Sequence, residues 1–178
     1  MNIFHRQQPR LLWIGLENGF DIIVTLSRFI ASGFWTGYWP LIAPGSFASL
    51  ISLCLFIVIK VFVTTNPLLL TIITVLLILI GFWSCQKVVS NQEPDPSYCV
   101  IDEWAGQWVT VLFIPFEWYF LVLGFFLFRL LDIFKPFGIK RLEQISGGAG
   151  VMCDDLAAGA LGSILIIVLA LGLKAVQL

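Results

Sequence analysis

Four stretches of the chain are apolar almost without a break. They run from about residue 46 to 63, from 67 to about 85, through most of 100–134, and from 156 to 173. The first, second and last are each close to the roughly 20 residues that cross a bilayer as a helix. The third is too long for one crossing and is interrupted at Pro115 and Glu117, which predicts a helical hairpin turning near "PFEW". The count is then about five membrane helices. Ahead of them, Trp13, Leu16, Phe20, Ile23 and Val24 recur at helical spacing, while Glu17, Asn18, Asp21 and Arg28 fall mostly elsewhere. That pattern predicts an amphipathic helix lying on the membrane surface, or one packed in the cytosol. The expected fold class is all-α: an integral membrane helical bundle forming one domain, with an N-terminal cytoplasmic or interfacial segment at 1–45 and a transmembrane part at 46–178.

Composition agrees with this pattern. Of 178 residues, 59% are hydrophobic and 12% charged, where soluble domains average roughly 25% charged; the mean hydropathy is +0.97. A net charge of −1 and the absence of any recognition motif exclude a nucleic-acid partner. The cysteines at 54, 85, 99 and 153 form no C-x-x-C pair and read as reduced packing residues. His5 is the only histidine, which argues against zinc and against histidine-based phosphotransfer. The basic N-terminus resembles the start of a signal peptide, but Glu17, Asp21 and Arg28 break its apolar stretch.

Charge also orients the spans. With the N-terminal segment inside, the cytoplasmic side receives Arg6, Arg10, Arg28, Lys87, Arg129, Lys135, Lys140 and Arg141, and the other side only Lys60 and Lys174. The excess inside predicts an N-in, C-out topology. The acidic residues divide the same way, which no topology rule requires. Of eleven, only Glu117 falls outside, while Asp95, Asp102, Glu103, Asp132, Glu143, Asp154 and Asp155 lie on or just below the cytoplasmic face. Carboxylates at span ends are costly unless paired or bound to a cation. A cation site at that interface is expected.

Four segments carry the polar chemistry. In "PLIAPGSFASL", residues 40–50, Gly45 and Ser46 open the first span; Ser46 can cap it, or the free N–H groups can meet phosphate. In "DPSYCVIDEWAG", residues 95–106, Asp102 and Glu103 enter the third span, as helix caps or as oxygen ligands for Mg²⁺, and Gly106 permits close helix approach. In "FRLLDIFKP", residues 128–136, Arg129, Asp132 and Lys135 follow at intervals of three before Pro136 ends the helix. They form either a salt-bridge ladder or a site with Asp132 on metal and Arg129 or Lys135 on phosphate. In "GGAGVMCDDLAAG", residues 147–159, three glycines allow a tight loop before two adjacent aspartates. Asp154 and Asp155 can cap the last span or supply charge to a metal.

Taken together, GFWTGYWPLIAPGS, VIDEWAG, FRLLDIFKP and GGAGVMCDDLAAG, in this order over roughly residues 29–162, resemble the phosphatidylglycerophosphatase A family. Where that family usually shows P-G-T-x-G-S, this chain has Pro44-Gly45-Ser46-Phe47-Ala48-Ser49; serine keeps the hydroxyl and alanine stays small. The resemblance implies a Mg²⁺-dependent phosphatase of the bacterial inner membrane that converts phosphatidylglycerophosphate to phosphatidylglycerol and phosphate in phospholipid biosynthesis, with its site facing the cytoplasm. The residues expected to carry catalysis are Asp102, Asp132, Asp154, Asp155, Arg129 and Lys135. Glu103 joins the four aspartates as a metal ligand, and Gly45 and Ser46 join Arg129 and Lys135 around the phosphate.

Other phosphatase chemistries lack their residues. No C-x5-R occurs, nor a D-x-D-x-[TV] nucleophile motif, nor the D-G-x2-A-R core of the CDP-alcohol phosphotransferases. The rival from another class is a small transporter or ion-pathway subunit with a cytoplasmic acidic site. That function favours carboxylates near mid-membrane, reachable from both faces.

Overall fold

The computed structural model describes residues 19–39, 42–90, 93 and 96–176, and every regular element among them is helical. Trp13, Leu16, Glu17 and Asn18 of the expected surface helix, Arg6 and Arg10 of the charge count, and Asp95 lie outside the described residues. The six α-helices are α1 (Gly19–Ala31), α2 (Pro44–Phe62), α3 (Pro67–Val88), α4 (Ile101–Val111), α5 (Trp118–Phe134) and α6 (Gly148–Val176), with short 3-10 helices at Thr36–Tyr38 and Ile139–Gln144.

Local chemistry sets the helix starts. Pro67 occupies the first position of α3, and the Asn66 side chain accepts a hydrogen bond from the Leu68 amide, an efficient N-cap. Pro44 opens α2 after Ala43 in the left-handed region. Ser46 therefore lies inside the first turn and does not cap the helix. At the other end of the chain, α6 begins at Gly148, well before the expected Leu156, and Gly148 and Gly150 are helical. Only Gly147 of that run has a positive φ. Asp154 and Asp155 are consequently in the second turn of a helix whose amides are already bonded. The capping reading of this pair is corrected.

Three helices, α2, α3 and α6, are long and apolar enough to cross a membrane. The expected hairpin forms as α4 and α5, turning between residues 112 and 117. Its arms are shorter than full crossings: α4, with 11 residues, is about 16 Å long, and α5, with 17, about 25 Å, against a hydrocarbon layer of about 30 Å. The expectation of about five crossing helices is thus met in part. Exposed leucine, isoleucine, valine and phenylalanine cover the outer faces of α2, α3, α5 and α6, whereas nine residues of α4 are buried. The short helix is the axis around which the others pack. Along α1, Ile22, Ile23 and Leu26 are exposed while Ser27 and Ala31 are buried.

Small residues let α4 and α6 cross backbone to backbone. A Cβ on Gly159 would overlap the Gly106 carbonyl, and one on Gly106 would lie 2.7 Å from the Asp155 carbonyl oxygen. This contact sets the depth of Asp155 relative to α4. On the opposite side, Trp108 Nε1 donates to the Ser52 carbonyl at 3.0 Å and Ser52 Oγ to the Trp104 carbonyl at 3.1 Å, tying α4 to α2. We expect Gly159→Val to destabilise the fold by about 1–3 kcal/mol or more, seen as a lower unfolding temperature in detergent. An unchanged temperature would show that the crossing tolerates a wider spacing.

Because successive helices run back and forth, one end of the bundle collects the start of α2, the end of α3, the start of α4, the end of α5 and the start of α6. The four polar segments of the sequence are four of those five ends, the starts of α2, α4 and α6 and the end of α5. At the far end stand Lys60, with its ammonium 4.5 Å from the Phe116 ring, and Glu117 beside it.

Candidate active site

Asp102 and Glu103 sit in the first turn of α4, where the exposed amides favour negative charge. Both are shielded from solvent, Asp102 at 7% exposure. Asp154 and Asp155 are adjacent on α6, so their side chains leave the helix about 100° apart and go to different partners. Asp154 accepts from Lys135, which also bonds Glu143. Asp155 turns toward α4, where it, Asp102 and Glu103 each bring one carboxylate oxygen within 4.8 Å of the others. This division answers why two aspartates stand side by side.

Arg129 and Asp132, three residues apart on α5, form a 2.8 Å ion pair. The same guanidinium donates from Nε to Ser46 Oγ at 3.2 Å and from Nη1 to Ser49 Oγ at 3.5 Å, and its Nη1 lies 3.8 Å from Glu103. Gly45 is where α2 meets this group: a Cβ there would overlap the Glu103 carboxylate. Lys135 terminates α5 in the left-handed conformation, with Pro136 next, as the sequence predicted for the helix stop. Burial works against its charge, but the bonds to Asp154 and Glu143 outweigh it and hold the ammonium above the usual lysine range. It is a fixed cation, unsuited to giving up a proton near neutrality.

A cavity of 670 Å³ opens over this arrangement. Its wall includes Asp102, Glu103, Asp132, Lys135, Asp154 and Asp155, and its other side is formed by the end of α3 and residues 143–147. A second recess of 470 Å³ shares Asp132, Lys135 and Glu143 and is flanked by Ile133, Phe134 and Lys140. All nine residues singled out from the sequence therefore come to one end of the bundle. They do not all line the cavity. Gly45, Ser46 and Arg129 are not part of the cavity wall; they stand behind Glu103 and Asp132.

The carboxylate cluster is only partly compensated by Arg129 and Lys135. Asp102 Oδ1, Glu103 Oε2, Asp154 Oδ1 and Asp155 Oδ2 are buried without a hydrogen-bond partner. Among the described residues, no ion pair reaches Asp102 or Asp155. Buried like charges a few ångströms apart repel one another, and unpaired polar atoms in a protein interior cost free energy. An oxygen-liganded cation resolves both problems at once, so the residues fit a metal ion. Asp102, Glu103 and Asp155 could hold one; Asp132, paired with Arg129, and Asp154, paired with Lys135 through one oxygen and unpartnered at the other, stand beside them.

Residues 29–170 match the phosphatidylglycerophosphatase A family. The chain belongs to that family. It is 31% identical over 140 residues to phosphatidylglycerophosphatase A of Escherichia coli, covering 76% of this chain and 78% of that one. It is 33% identical over 135 residues to the Haemophilus influenzae protein of the same name, covering 74% and 80%. It is also 38% identical over 148 residues to a Bacteroides thetaiotaomicron protein provisionally named phosphatidylinositol-3-phosphatase, covering 80% and 92%. No solved structure matches the chain. The matched region contains the whole cavity wall.

Three residues at or near the site were given no role in the sequence reading. Ser49 was legible in principle, because it follows Ser46 by three residues and shares its helix face. Gln107 stands one turn beyond Glu103, fully buried, with neither amide atom partnered; an amide inside an apolar run was the available signal. Glu143 was counted among the carboxylates of the cytoplasmic face, but its pairing with Lys135 depends on how the 3-10 helix folds back.

Proposed function

We propose that this protein is a divalent-metal-dependent phosphatase that hydrolyses phosphatidylglycerophosphate to phosphatidylglycerol and inorganic phosphate at the cytoplasmic face of the bacterial inner membrane. The observation that carries the reading is the trio Asp102, Glu103 and Asp155, with unpartnered oxygens, in a cavity that also holds the fixed cation Lys135. In this reading the α4–α5 hairpin is embedded with the three long helices, giving five helices in the membrane. Exposed Ile133 and Phe134 beside the second recess lie against acyl chains, so a lipid headgroup reaches Lys135 without leaving the bilayer.

Mg²⁺ suits the trio as a hard, oxygen-seeking ion; when bound, it neutralises phosphate charge and lowers the pKa of a bound water. The protein's own groups do the rest. Lys135 meets the phosphate oxygens, while Asp154 and Glu143 fix its position. Arg129 holds Asp132 and Glu103 in place from behind, with Ser46 and Ser49 keeping its plane. Overall, the phosphorus–oxygen bond to the headgroup breaks, and water supplies the oxygen and protons that complete the two products.

A second substrate reading comes from the Bacteroides relative, whose name specifies a phosphatidylinositol phosphate. Both lipids present a phosphomonoester on a polyol headgroup. Purified protein given each lipid in mixed micelles should release phosphate faster from phosphatidylglycerophosphate; the reverse preference would favour the inositol lipid. The transporter reading is weakened because the carboxylates gather at one end of the bundle, with only Glu117 at the other among the described residues. Orientation is tested separately. Cysteines introduced at Ser97 and Gln144, in a background without native cysteine, should resist a membrane-impermeant thiol reagent in intact cells and react after lysis. Labelling of both in intact cells would place the site on the opposite face.

A further inference from the structure

Two of the four cysteines meet across the structure. Cys85, in the last turn of α3, and Cys99, just before α4, have sulfur atoms 3.4 Å apart, and both residues are buried. Neither is in a disulfide. The two are not equivalent. Cys99 forms part of the cavity wall, within reach of small solutes, whereas Cys85 is fully buried behind it. Their surroundings are tightly held: the Val100 amide donates to the Ala31 carbonyl at 2.9 Å, the Cys99 amide to the Pro96 carbonyl at 2.7 Å, and a Cβ on Gly148 would come 2.8 Å from the Cys85 Cβ. The pair therefore joins the end of α3, the start of α6 and the start of α4, three residues from Asp102. Cys54 and Cys153 take no part in it.

We infer that Cys85 and Cys99 form an oxidative modification site, a dithiol that closes to a disulfide with a peroxide as oxidant, and that closure displaces Asp102 and slows turnover. The second half rests on the reading proposed above. The chemistry balances with one equivalent of hydrogen peroxide. Cys99 Sγ attacks one peroxide oxygen, forming a sulfenic acid and releasing water. Cys85 Sγ then attacks the Cys99 sulfur, the S–S bond forms, and the sulfenic hydroxyl leaves as a second water. Two electrons pass from the thiols to the O–O bond, and both thiol protons end in water. Closure draws the sulfurs from 3.4 Å to about 2 Å. With Cys85 wedged against Gly148, part of that movement falls on residues 99–102. Displacements of about 1 Å in a catalytic group cost up to about 100-fold in rate.

The test uses the full chain, purified in detergent, reduced, freed of reductant and exposed to one equivalent of hydrogen peroxide. Peptide mapping should find a Cys85–Cys99 bridge and a mass lower by about 2 Da, and phosphate release should fall roughly tenfold or more. Dithiothreitol should restore it. Cys99→Ser should lose this reversible inhibition and Cys85→Ser should lose the bridge, stopping at the sulfenic acid, while a Cys54→Ser, Cys153→Ser double variant should keep both bridge and inhibition. Peptides that retain both thiols after treatment, or a mapped bridge with unchanged turnover, would overturn the inference. Should the reduced protein release no phosphate at all, the phosphatase reading fails, and the mapping still decides whether the bridge forms.

Discussion

Asp155→Asn should fold and insert normally yet lose phosphate release by about 100-fold or more. The magnitude follows from a lower bound: groups that only orient metal ligands cost about 10–100-fold when removed, and Asp155 is read as a ligand itself. Asparagine keeps the shape and one oxygen but supplies no charge. The fold has no cause to suffer, because Asp155 is in the second turn of α6, caps nothing, and contributes to repulsion with Asp102 and Glu103. Removing one negative charge from that trio relieves strain, so stability should be equal or higher. The wild-type protein should gain thermal stability as Mg²⁺ is added, rising with the logarithm of the Mg²⁺ concentration once that exceeds the dissociation constant, and the variant should lose that gain. Asp154→Asn should be milder, since Lys135 keeps Glu143 as a partner. Normal turnover of Asp155→Asn at limiting Mg²⁺ would remove this residue from the metal site.

Arg129→Lys should also lose turnover, by about tenfold or more, although it preserves the charge. The guanidinium is engaged in three directions at once: Asp132 at 2.8 Å, Ser46 at 3.2 Å and Ser49 at 3.5 Å. A planar fork holds these partners together, whereas an ammonium on a flexible stem satisfies them only one or two at a time. Since Arg129 stands behind the cavity wall, the loss should appear in kcat, with KM nearly unchanged. A large rise in KM with kcat preserved would instead put the guanidinium directly on the substrate phosphate. Full activity would reduce Arg129 to a helix-end salt bridge.

Much of this arrangement was written in local pattern. Long apolar runs fixed α2, α3 and the body of α6, and the break at Pro115 and Glu117 fixed the hairpin. The lengths of α4 and α5 were less legible, because a helix enclosed by other helices need not match the thickness of the membrane. The orientation argument survives that change. A hairpin that enters and returns on one side leaves the parity of the spans as it was. The start of α6 was misplaced because glycine is a weak helix former, and packing overrode it: Gly148 is held against the backbone of α3 at Cys85 and Gln86. The site residues were visible as four polar segments, since carboxylates at span ends are too costly to be incidental. Their division of labour was not. Which of two adjacent aspartates faces Lys135 and which faces Asp102 depends on the rotation of α6 against α4, and the Gly106–Gly159 crossing sets that rotation. The meeting of Cys85 and Cys99 likewise needed the packing of α3 beside the start of α4.

The most direct measurement is phosphate release from phosphatidylglycerophosphate by the purified protein in detergent, with Mg²⁺ added in one arm and removed by a chelator in the other. A site built on Asp102, Glu103 and Asp155 predicts release with Mg²⁺, near-complete loss with chelator, and recovery when Mg²⁺ is returned. Undiminished release in the chelated protein would contradict a metal held by that trio.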